Sequence, residues 1–404
     1  MLSLCCCRVV VVLSCVLLRV HVLLTNSISQ YTITHRSTVL KESLNEMFEA
    51  TGGYGVWNET RGWDGKADRL SLYHGVVVNR DEDDGEYDVN PLKLLSLALP
   101  SNCMVGNFRK AFKLLFVTTG KNLRILNLSR NELNYKKGLP KELSSCLHLT
   151  TLLLENTGGT GSMPEDEGVL LLPSLQVLSL SGNSFEGSPE MLFKISNNLR
   201  VLNLSNNIFD GIIEKEWLEP LRGSIESLDL SYNRLGGLFL TDFSCKLLGP
   251  TIKHLKVSGN AMVGSLPPEI KHCNSLEVLH LDSNNFNGML PEEFFKLKHL
   301  RRLWLENNNF IGDLTKFVKF KEMRTLVLGG NGFGEEIPDT LSKLKFLKIF
   351  RINDCRFVGS FPMSLLLKMK LLQKFDVSGC KYMAQNSIKR AMEFAQEKGI
   401  KCGR

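Results

Sequence analysis

The sequence predicts an α/β solenoid of about twelve short coils, with a cap at each end, and three regularities support this prediction. One frame, L-x-x-L-x-L-x-x-N-x-F-x-G-x-x-P, recurs twelve times between Leu94 and Cys380, and successive frames start 23 to 29 residues apart. The sixth position is aliphatic in every frame, and the ninth position is Asn in nine of the twelve. This length and pattern indicate a leucine-rich-repeat solenoid, in which each repeat adds one strand to the inside of a horseshoe.

Each element of the frame has a physical role. The alternation L-x-L sends two side chains into the core and the side chains between them toward the concave face. The side-chain amide of the ninth residue is expected to satisfy backbone groups that the turn after the strand leaves unpaired. The frames begin at Leu94, Leu123, Leu149, Leu175, Leu199, Ile225, Ile252, Leu276, Leu300, Met323, Leu347 and Leu372. The aromatic residues expected to fill the core under the turn are Phe185, Phe209, Phe286, Phe310, Phe333 and Phe357.

Caps are predicted at both ends of the repeats, because each repeat touches only its neighbours and the end repeats would otherwise expose their cores. We assign residues 30–93 to an N-terminal cap, 94–384 to the solenoid, and 385–404 to a C-terminal cap helix and tail. The acidic stretch Asp81–Asp88 inside the first cap lacks the spacing of an EF-hand and is interpreted as a solvated loop. The apolar face of the C-terminal helix is formed by Ile388, Ala391, Met392 and Ala395.

The first 29 residues are predicted to be a signal peptide. Val9–Leu18 is an apolar run, and Ser27 and Ser29 offer a small-residue cleavage site before Gln30. The alternative is an uncleaved anchor palmitoylated in the run Cys5–Cys7, which would hold the protein at the cell surface. Secretion would also make three N-x-[ST] sequons available for glycosylation. They begin at Asn58, Asn127 and Asn203.

The extended frame resembles that of the plant-type extracellular leucine-rich-repeat proteins, as in L-E-V-L-H-L-D-S-N-N-F-N-G-M-L-P over residues 276–291. That group includes receptor ectodomains, receptor-like proteins and wall-located inhibitors. Residues 48–64 and 73–76 are similar to its N-terminal cap. The usual cap has a Cys on each side of W-x-G-V, and here Ser71 and Val78 stand in those places. This cysteine-free form is similar to caps of heterokont algae and related protists. The resemblance implies a solenoid that binds an extracellular partner.

Catalysis is not expected. The sequence contains no H-E-x-x-H, G-x-S-x-G, C-x-x-C or phosphate-binding G-x-x-x-x-G-K-[ST] motif, and we predict no catalytic residue, no cofactor and no metal site. The net charge of +7 is too small to indicate nucleic-acid binding by bulk charge. Seven of the eleven cysteines follow the predicted signal peptide, and their irregular spacing predicts no disulfide framework. Cys355 and Cys380 occupy ninth positions and are predicted to be buried.

The concave face of the C-terminal half is the predicted ligand site. From the seventh frame onward, the exposed strand positions become basic and surround one large aromatic side chain. These residues are His254, Lys256, His280, Arg302, Trp304 and Arg351, flanked by Asp282 and Glu306. An exposed Trp leaves apolar area uncovered unless a ligand or neighbour covers it, and Trp and Arg often anchor interfaces. The alternative is that these charges form an ordinary solvated surface.

The expected function is therefore recognition of a protein, a peptide or a glycan by a secreted or cell-surface protein, in signalling or defence. A basic ladder suits an acidic peptide or an acidic glycan. A membrane is expected as a partner only if the N-terminal segment is an uncleaved anchor. Two alternatives remain open at this stage: inhibition of an extracellular hydrolase, and an intracellular scaffold if the N-terminal segment is not a working signal.

Overall fold

Each frame of the sequence forms one coil, and the L-x-L alternation forms its strand. A computed structural model describes residues 31–53, 56–61, 63, 73–79, 93–163 and 170–403. In this part of the chain the twelve frames contribute twelve neighbouring parallel strands to one sheet, which confirms the predicted solenoid. Residues 1–29, which contain the predicted signal peptide, and the insertion Asp81–Asp88 lie outside the described residues.

The main sheet lines the concave face and has fourteen described strands, of which the first pairs antiparallel and the others parallel. Its fourth and sixth frame positions are buried throughout, as the alternation predicts. In order, its strands are Val76–Asn79, Lys93–Ala98, Ile125–Asn127, Thr151–Leu153, Val177–Ser179, Val201–Asn203, Ser227–Asp229, His254–Lys256, Val278–His280, Arg302–Trp304, Thr325–Val327, Ile349–Arg351, Lys374–Asp376 and Lys401–Cys402.

A second parallel sheet follows the turn in the middle coils, and short helices form the convex side. The strands of this sheet are Thr160–Ser162, Ser184–Gly187, Ile208–Ile212, Arg234–Leu238, Ala261–Gly264, Asn285–Met289, Asn309–Gly312 and Gly332–Phe333, and a separate pair joins Val105–Asn107 to Glu132–Asn134. The described α-helices are Tyr31–Ala50, Phe108–Thr119, Glu190–Lys194, Lys215–Leu218, Asp242–Leu248, Ser364–Lys368 and Gln385–Glu397. The described 3-10 helices are Gly120–Asn122, Lys141–Ser145, Glu219–Leu221, Pro268–His272, Glu292–Lys296, Thr315–Lys319 and Asp339–Lys343.

The ninth-position asparagines connect each coil to the preceding one. The Asn308 amide nitrogen donates to the carbonyl oxygens of Leu281 in the preceding coil, at 2.9 Å, and Leu305 in its own coil, at 3.1 Å. Its amide oxygen accepts from the Phe286 N–H at 2.9 Å. Asn207, Asn233, Asn260, Asn284 and Asn331 repeat this arrangement. The predicted backbone role of the asparagine is therefore correct, and it extends between coils.

The eighth frame position has left-handed backbone geometry in all twelve coils. Glycine occupies it in four coils only, and even Arg130 and Tyr232 adopt φ values of 59° and 56° there. L residues rarely adopt this conformation, so in the nine coils where asparagine follows, its hydrogen bonds hold the turn against an intrinsic preference. The other members of the row are Ser101, Asn156, Gly182, Asn206, Gly259, Ser283, Asn307, Gly330, Asp354 and Gly379.

The core under the turn is aromatic, as expected. All six predicted phenylalanines are at most 1% exposed, and Phe185 stacks on Phe209 with ring centres 6.2 Å apart. In the last two coils cysteine replaces the asparagine and makes one weaker bond to the preceding coil: the thiols of Cys355 and Cys380 donate to the carbonyl oxygens of Leu328 and Ile352. Both thiols are buried, which confirms that prediction.

The two ends of the solenoid are closed differently. Phe48, Trp57, Trp63 and Tyr73 form a buried aromatic cluster at the N-terminal end, where the described residues provide no disulfide. At the C-terminal end the predicted helix spans Gln385–Glu397 and buries its apolar face. The tail after this helix then adds the strand Lys401–Cys402 to the main sheet, which the sequence analysis did not predict.

Candidate functional site

Six of the eight predicted site residues lie on two in-register rows of the concave face, and Asp282 and Glu306 are seventh-position residues just after their strands. Lys256, His280, Trp304 and Arg351 are fifth-position residues, and their strands pair in the order 256–280–304–327–351. His254 and Arg302 are third-position residues in the parallel row. Adjacent strands lie about 5 Å apart, so Lys256, His280 and Trp304 share a surface about 10 Å long. Arg351 is two strands beyond Trp304, and Val327, which stands between them in the row, is buried.

The rings of His280 and Trp304 form the centre of this surface. Their centroids are 3.9 Å apart, and the ring planes are tilted by 48°. Burial, together with the positive charges of Lys256 and Arg302, lowers the pKa of His280 to about 4. Burial also lowers the pKa of His254. At neutral pH the histidines therefore contribute rings rather than charges, and the positive charge of the ladder comes from its lysine and arginines.

Most charged residues of the site already have partners in the fold. Lys256 forms an ion pair with Asp229 at 3.2 Å, and the Asp282 carboxylate accepts a 2.6 Å hydrogen bond from the Ser258 hydroxyl. Burial raises the pKa of Asp282. Arg302, by contrast, is exposed and forms no ion pair with any described residue. The guanidinium of Arg302 is therefore the cation that the central surface leaves available to a ligand.

The C-terminal end of the face has a separate polar cluster that the sequence analysis largely missed. Arg351 donates through Nη2 to the Gly403 carbonyl oxygen at 3.2 Å, while its Nε is buried without a hydrogen-bond partner. Asp376 pairs in register with Arg351, and its Oδ2 is buried and unpartnered, as is Oδ1 of Asn353. Arg351 thus belongs to a cluster around the tail rather than to the Trp304 surface. The sequence contains a signal for this cluster, because Asn353 and Asp376 are polar residues at the seventh and fifth frame positions.

The three sequons lie on described residues, and their side chains are bound locally. Asn58 is exposed, and its Nδ2 donates to the Ser101 carbonyl oxygen at 2.9 Å. Asn127 and Asn203 are fifth-position residues of the concave face, and each accepts from the backbone N–H of the serine two residues later, at 3.1 Å.

The other features of the described residues give weaker support for a binding site than the surface around Trp304 does. A cavity of about 470 Å³ lies at the edge where the strands begin, beside Arg200, Glu226 and Lys253. Glu226 pairs with both cations and offsets one of the two positive charges at the rim. Among the described residues no group of three His, Cys, Asp or Glu could hold a metal ion. No described helix has the length and apolar character needed to cross a membrane.

Comparison with known proteins gives the same architecture. A family model described as "Leucine rich repeat" matches residues 173–243 and 250–310. The chain is a leucine-rich-repeat solenoid. No curated protein matches the sequence.

Several solved structures share the solenoid fold. A TDR receptor is 25% identical, with TM-score 0.58, over 70% of this chain and 50% of that chain. The plant peptide hormone receptor RGFR1, solved in complex with RGF2, is 28% identical, with TM-score 0.51, over 70% of this chain and 50% of that chain. A plant ice-binding protein is 18% identical, with TM-score 0.59, over 86% of this chain and 95% of that chain, and shares the fold alone. The solenoid spans about half the length of the two receptor chains it matches.

Proposed function

We propose that this solenoid recognises a protein or peptide ligand on the concave surface around Trp304. The observation that supports this most is the combination of a half-buried Trp304 ring against His280 with an exposed and unpaired Arg302. Such a surface offers apolar area and a planar cation within one strand, the combination that anchors many interfaces. Similarity to RGFR1, a plant peptide hormone receptor, supports a peptide as the ligand.

The ligand is proposed to be acidic. The central cations Arg302 and Lys256 differ, because Lys256 is already paired with Asp229. A carboxylate of the ligand would therefore bind Arg302 first, with bidentate geometry available. An acidic glycan offers the same carboxylate chemistry and could stack a sugar ring on Trp304, so acidic peptides and acidic glycans are the two ligand classes to compare.

The protein is further proposed to act as a secreted or cell-surface molecule, glycosylated at Asn58, Asn127 and Asn203. Glycans on the two fifth-position asparagines would cover the N-terminal half of the concave face and leave the Trp304 surface open. The second candidate is an intracellular scaffold. All seven described cysteines are free thiols, a state that a reducing compartment also maintains.

Panning of a random peptide library against the solenoid tests the proposed site. Enriched peptides should contain Asp or Glu and bind Trp304→Ala about thirtyfold more weakly, the size of an anchor loss. Leu153→Ala is the matched control, because Leu153 occupies the same frame position in the N-terminal half. Equal losses in the two variants would place the site elsewhere on the face. Oligogalacturonate titrated in parallel distinguishes an acidic glycan from an acidic peptide.

A further inference from the structure

Four consecutive coils near the C-terminal end carry the same pair of lysines shortly before their strands. The segments are Lys296-Leu297-Lys298, Lys319-Phe320-Lys321, Lys343-Leu344-Lys345 and Lys368-Met369-Lys370. In each of them the middle residue is 1% exposed and both lysines are exposed. The segments end helices of the convex side and precede in-register strands, so equivalent lysines lie in adjacent coils. We call these eight side chains the lysine rows.

Most of the lysine rows carry uncompensated charge. Lys296 pairs with Glu293 and Lys319 pairs with Glu292, but the other six form no ion pair with any described residue. The imbalance is largest in the last two of these coils. Residues 343–374 contain eight Lys or Arg, of which Arg351 and Lys374 belong to strands of the concave sheet, and a single acidic residue, Asp354. A cluster of one sign on a flank of the solenoid produces a strong positive potential there.

Large apolar side chains are exposed within the same flank. Phe346 directly follows Lys345, and Leu371 directly follows Lys370, with exposures of 52% and 46%. The equivalent residues of the two preceding coils are polar, namely His299 and Glu322. Leu367, directly before Lys368, is 62% exposed. The exposed apolar residues therefore occur in the two coils where both lysines lack an ion-pair partner among the described residues.

We propose that this flank, consisting of the lysine rows with Phe346, Leu367 and Leu371, is a peripheral binding surface for an anionic lipid bilayer. Lysines near an anionic membrane bind its headgroups, and exposed Phe and Leu side chains enter the boundary between headgroups and acyl chains. A soluble polyanion would engage the lysines and gain nothing from the apolar side chains. The surface precedes the strands and is separate from the concave row of Trp304, so a membrane-bound solenoid keeps its concave face open. This binding does not depend on the proposed ligand site.

Vesicle co-sedimentation of the full chain tests this proposal. The solenoid should sediment with vesicles of phosphatidylcholine and phosphatidylserine, and not with phosphatidylcholine alone. Each lysine near an anionic surface contributes about a fivefold factor, so Lys343→Gln/Lys345→Gln/Lys368→Gln/Lys370→Gln should weaken binding by roughly several hundredfold. The double variant Phe346→Ser/Leu371→Ser should weaken it at least about fivefold while leaving its salt dependence unchanged.

A matched control removes the same charge elsewhere. Lys110, Lys113, Lys136 and Lys137 are exposed near the N-terminal end, and their replacement by Gln should change vesicle binding less than about twofold. Equal losses in the two quadruple variants would overturn the proposal, because binding would then follow net charge. The proposal would also be overturned if the wild-type protein did not sediment with vesicles that contain phosphatidylserine. If dextran sulfate binds the protein and Phe346→Ser/Leu371→Ser binds vesicles as well as wild type, the flank is a polyanion surface and the bilayer assignment is wrong.

Discussion

The imidazole ring of His280 lies 3.9 Å from the indole ring of Trp304, one coil further along the concave face. Trp304 is therefore held on one side by a neighbour of the fold and presents its remaining surface to solvent. A ring positioned in this way loses little side-chain freedom when a ligand covers it, which favours binding at this point.

Because the His280 ring is largely buried, the free energy of unfolding depends on pH. The pKa of His280 is about 4 in the folded chain, below its ordinary value of 6.5. Between these values the unfolded chain binds a proton that the folded chain does not, so the free energy of unfolding decreases as pH falls from 6.5 toward 4. We expect wild type to lose about 1–2 kcal/mol more than His280→Gln between pH 7 and pH 4.5 in urea unfolding. Parallel pH dependences would contradict the burial of the imidazole.

Core and face positions should differ sharply in stability. Leu279→Ala or Leu303→Ala removes a fully buried fourth-position side chain and should cost about 2–5 kcal/mol. Arg302→Ala, on the exposed face without an ion pair, should change the free energy of unfolding by less than about 0.5 kcal/mol. Denaturant unfolding of the three variants measures both effects, and a cost at Arg302 equal to that at Leu303 would refute the assignment of inside and outside.

The ninth-position asparagine should contribute more to the free energy of unfolding than the cysteine that replaces it in the last two coils. Asn308→Ala leaves the Phe286 N–H unpaired in the core and removes one of the two hydrogen bonds that the Leu281 carbonyl accepts, the other coming from Asn284. This variant should cost about 2–4 kcal/mol. Asn308→Cys should recover part of this loss, because Cys355 and Cys380 donate to the preceding coil from the same position. A cysteine variant no more stable than the alanine variant would show that the thiol bond contributes nothing.

The repeat frame predicted the main sheet because a hydrophobic period fixes which side chains are buried. It did not predict the left-handed eighth position, since Arg130 and Tyr232 have no preference for that conformation and adopt it through bonds of the whole turn. The last strand, Lys401–Cys402, was also missed, because two residues carry no periodic signal. Pairing with a preformed sheet edge determines this strand, and such pairing is not a local property.

The sequence predicted the position of the candidate site better than it predicted the charges that the site carries. Frame positions placed Trp304, His280 and Arg302 on one surface, as the structure does. The sequence could not reveal that Lys256 is bound by Asp229 or that burial keeps His280 neutral, because both depend on contacts between coils. The lysine rows could not be recognised from the strand positions, because they precede each strand and lie outside the frame that points to the concave face.

Thiol reactivity should follow burial. Burial raises the pKa of Cys146 to about 11 and that of Cys355 to about 12, so neither forms much thiolate at pH 8. Cys103 and Cys402 are half-buried and should be alkylated first by iodoacetamide, as read by mass spectrometry of peptides. After unfolding in urea all seven thiols of the described residues should react. Early labelling of Cys355 in the folded protein would contradict its place in the core.

The final prediction concerns the proposed glycans on the concave face. Expression through a eukaryotic secretory pathway should yield a glycoprotein whose mobility shifts after endoglycosidase treatment. Ser129→Ala and Ser205→Ala destroy the sequons of Asn127 and Asn203 while keeping both asparagines, and the backbone N–H bonds these side chains accept remain possible. Each variant should remove one glycan without lowering the free energy of unfolding by more than about 1 kcal/mol.

Because these residues lie several coils from Trp304, the variants should bind panned peptides as wild type does. A glycan-free product retained in the cytosol would favour the scaffold over the secreted recognition protein. A secreted glycoprotein whose peptide affinity rises on loss of either glycan would instead extend the ligand site into the N-terminal half.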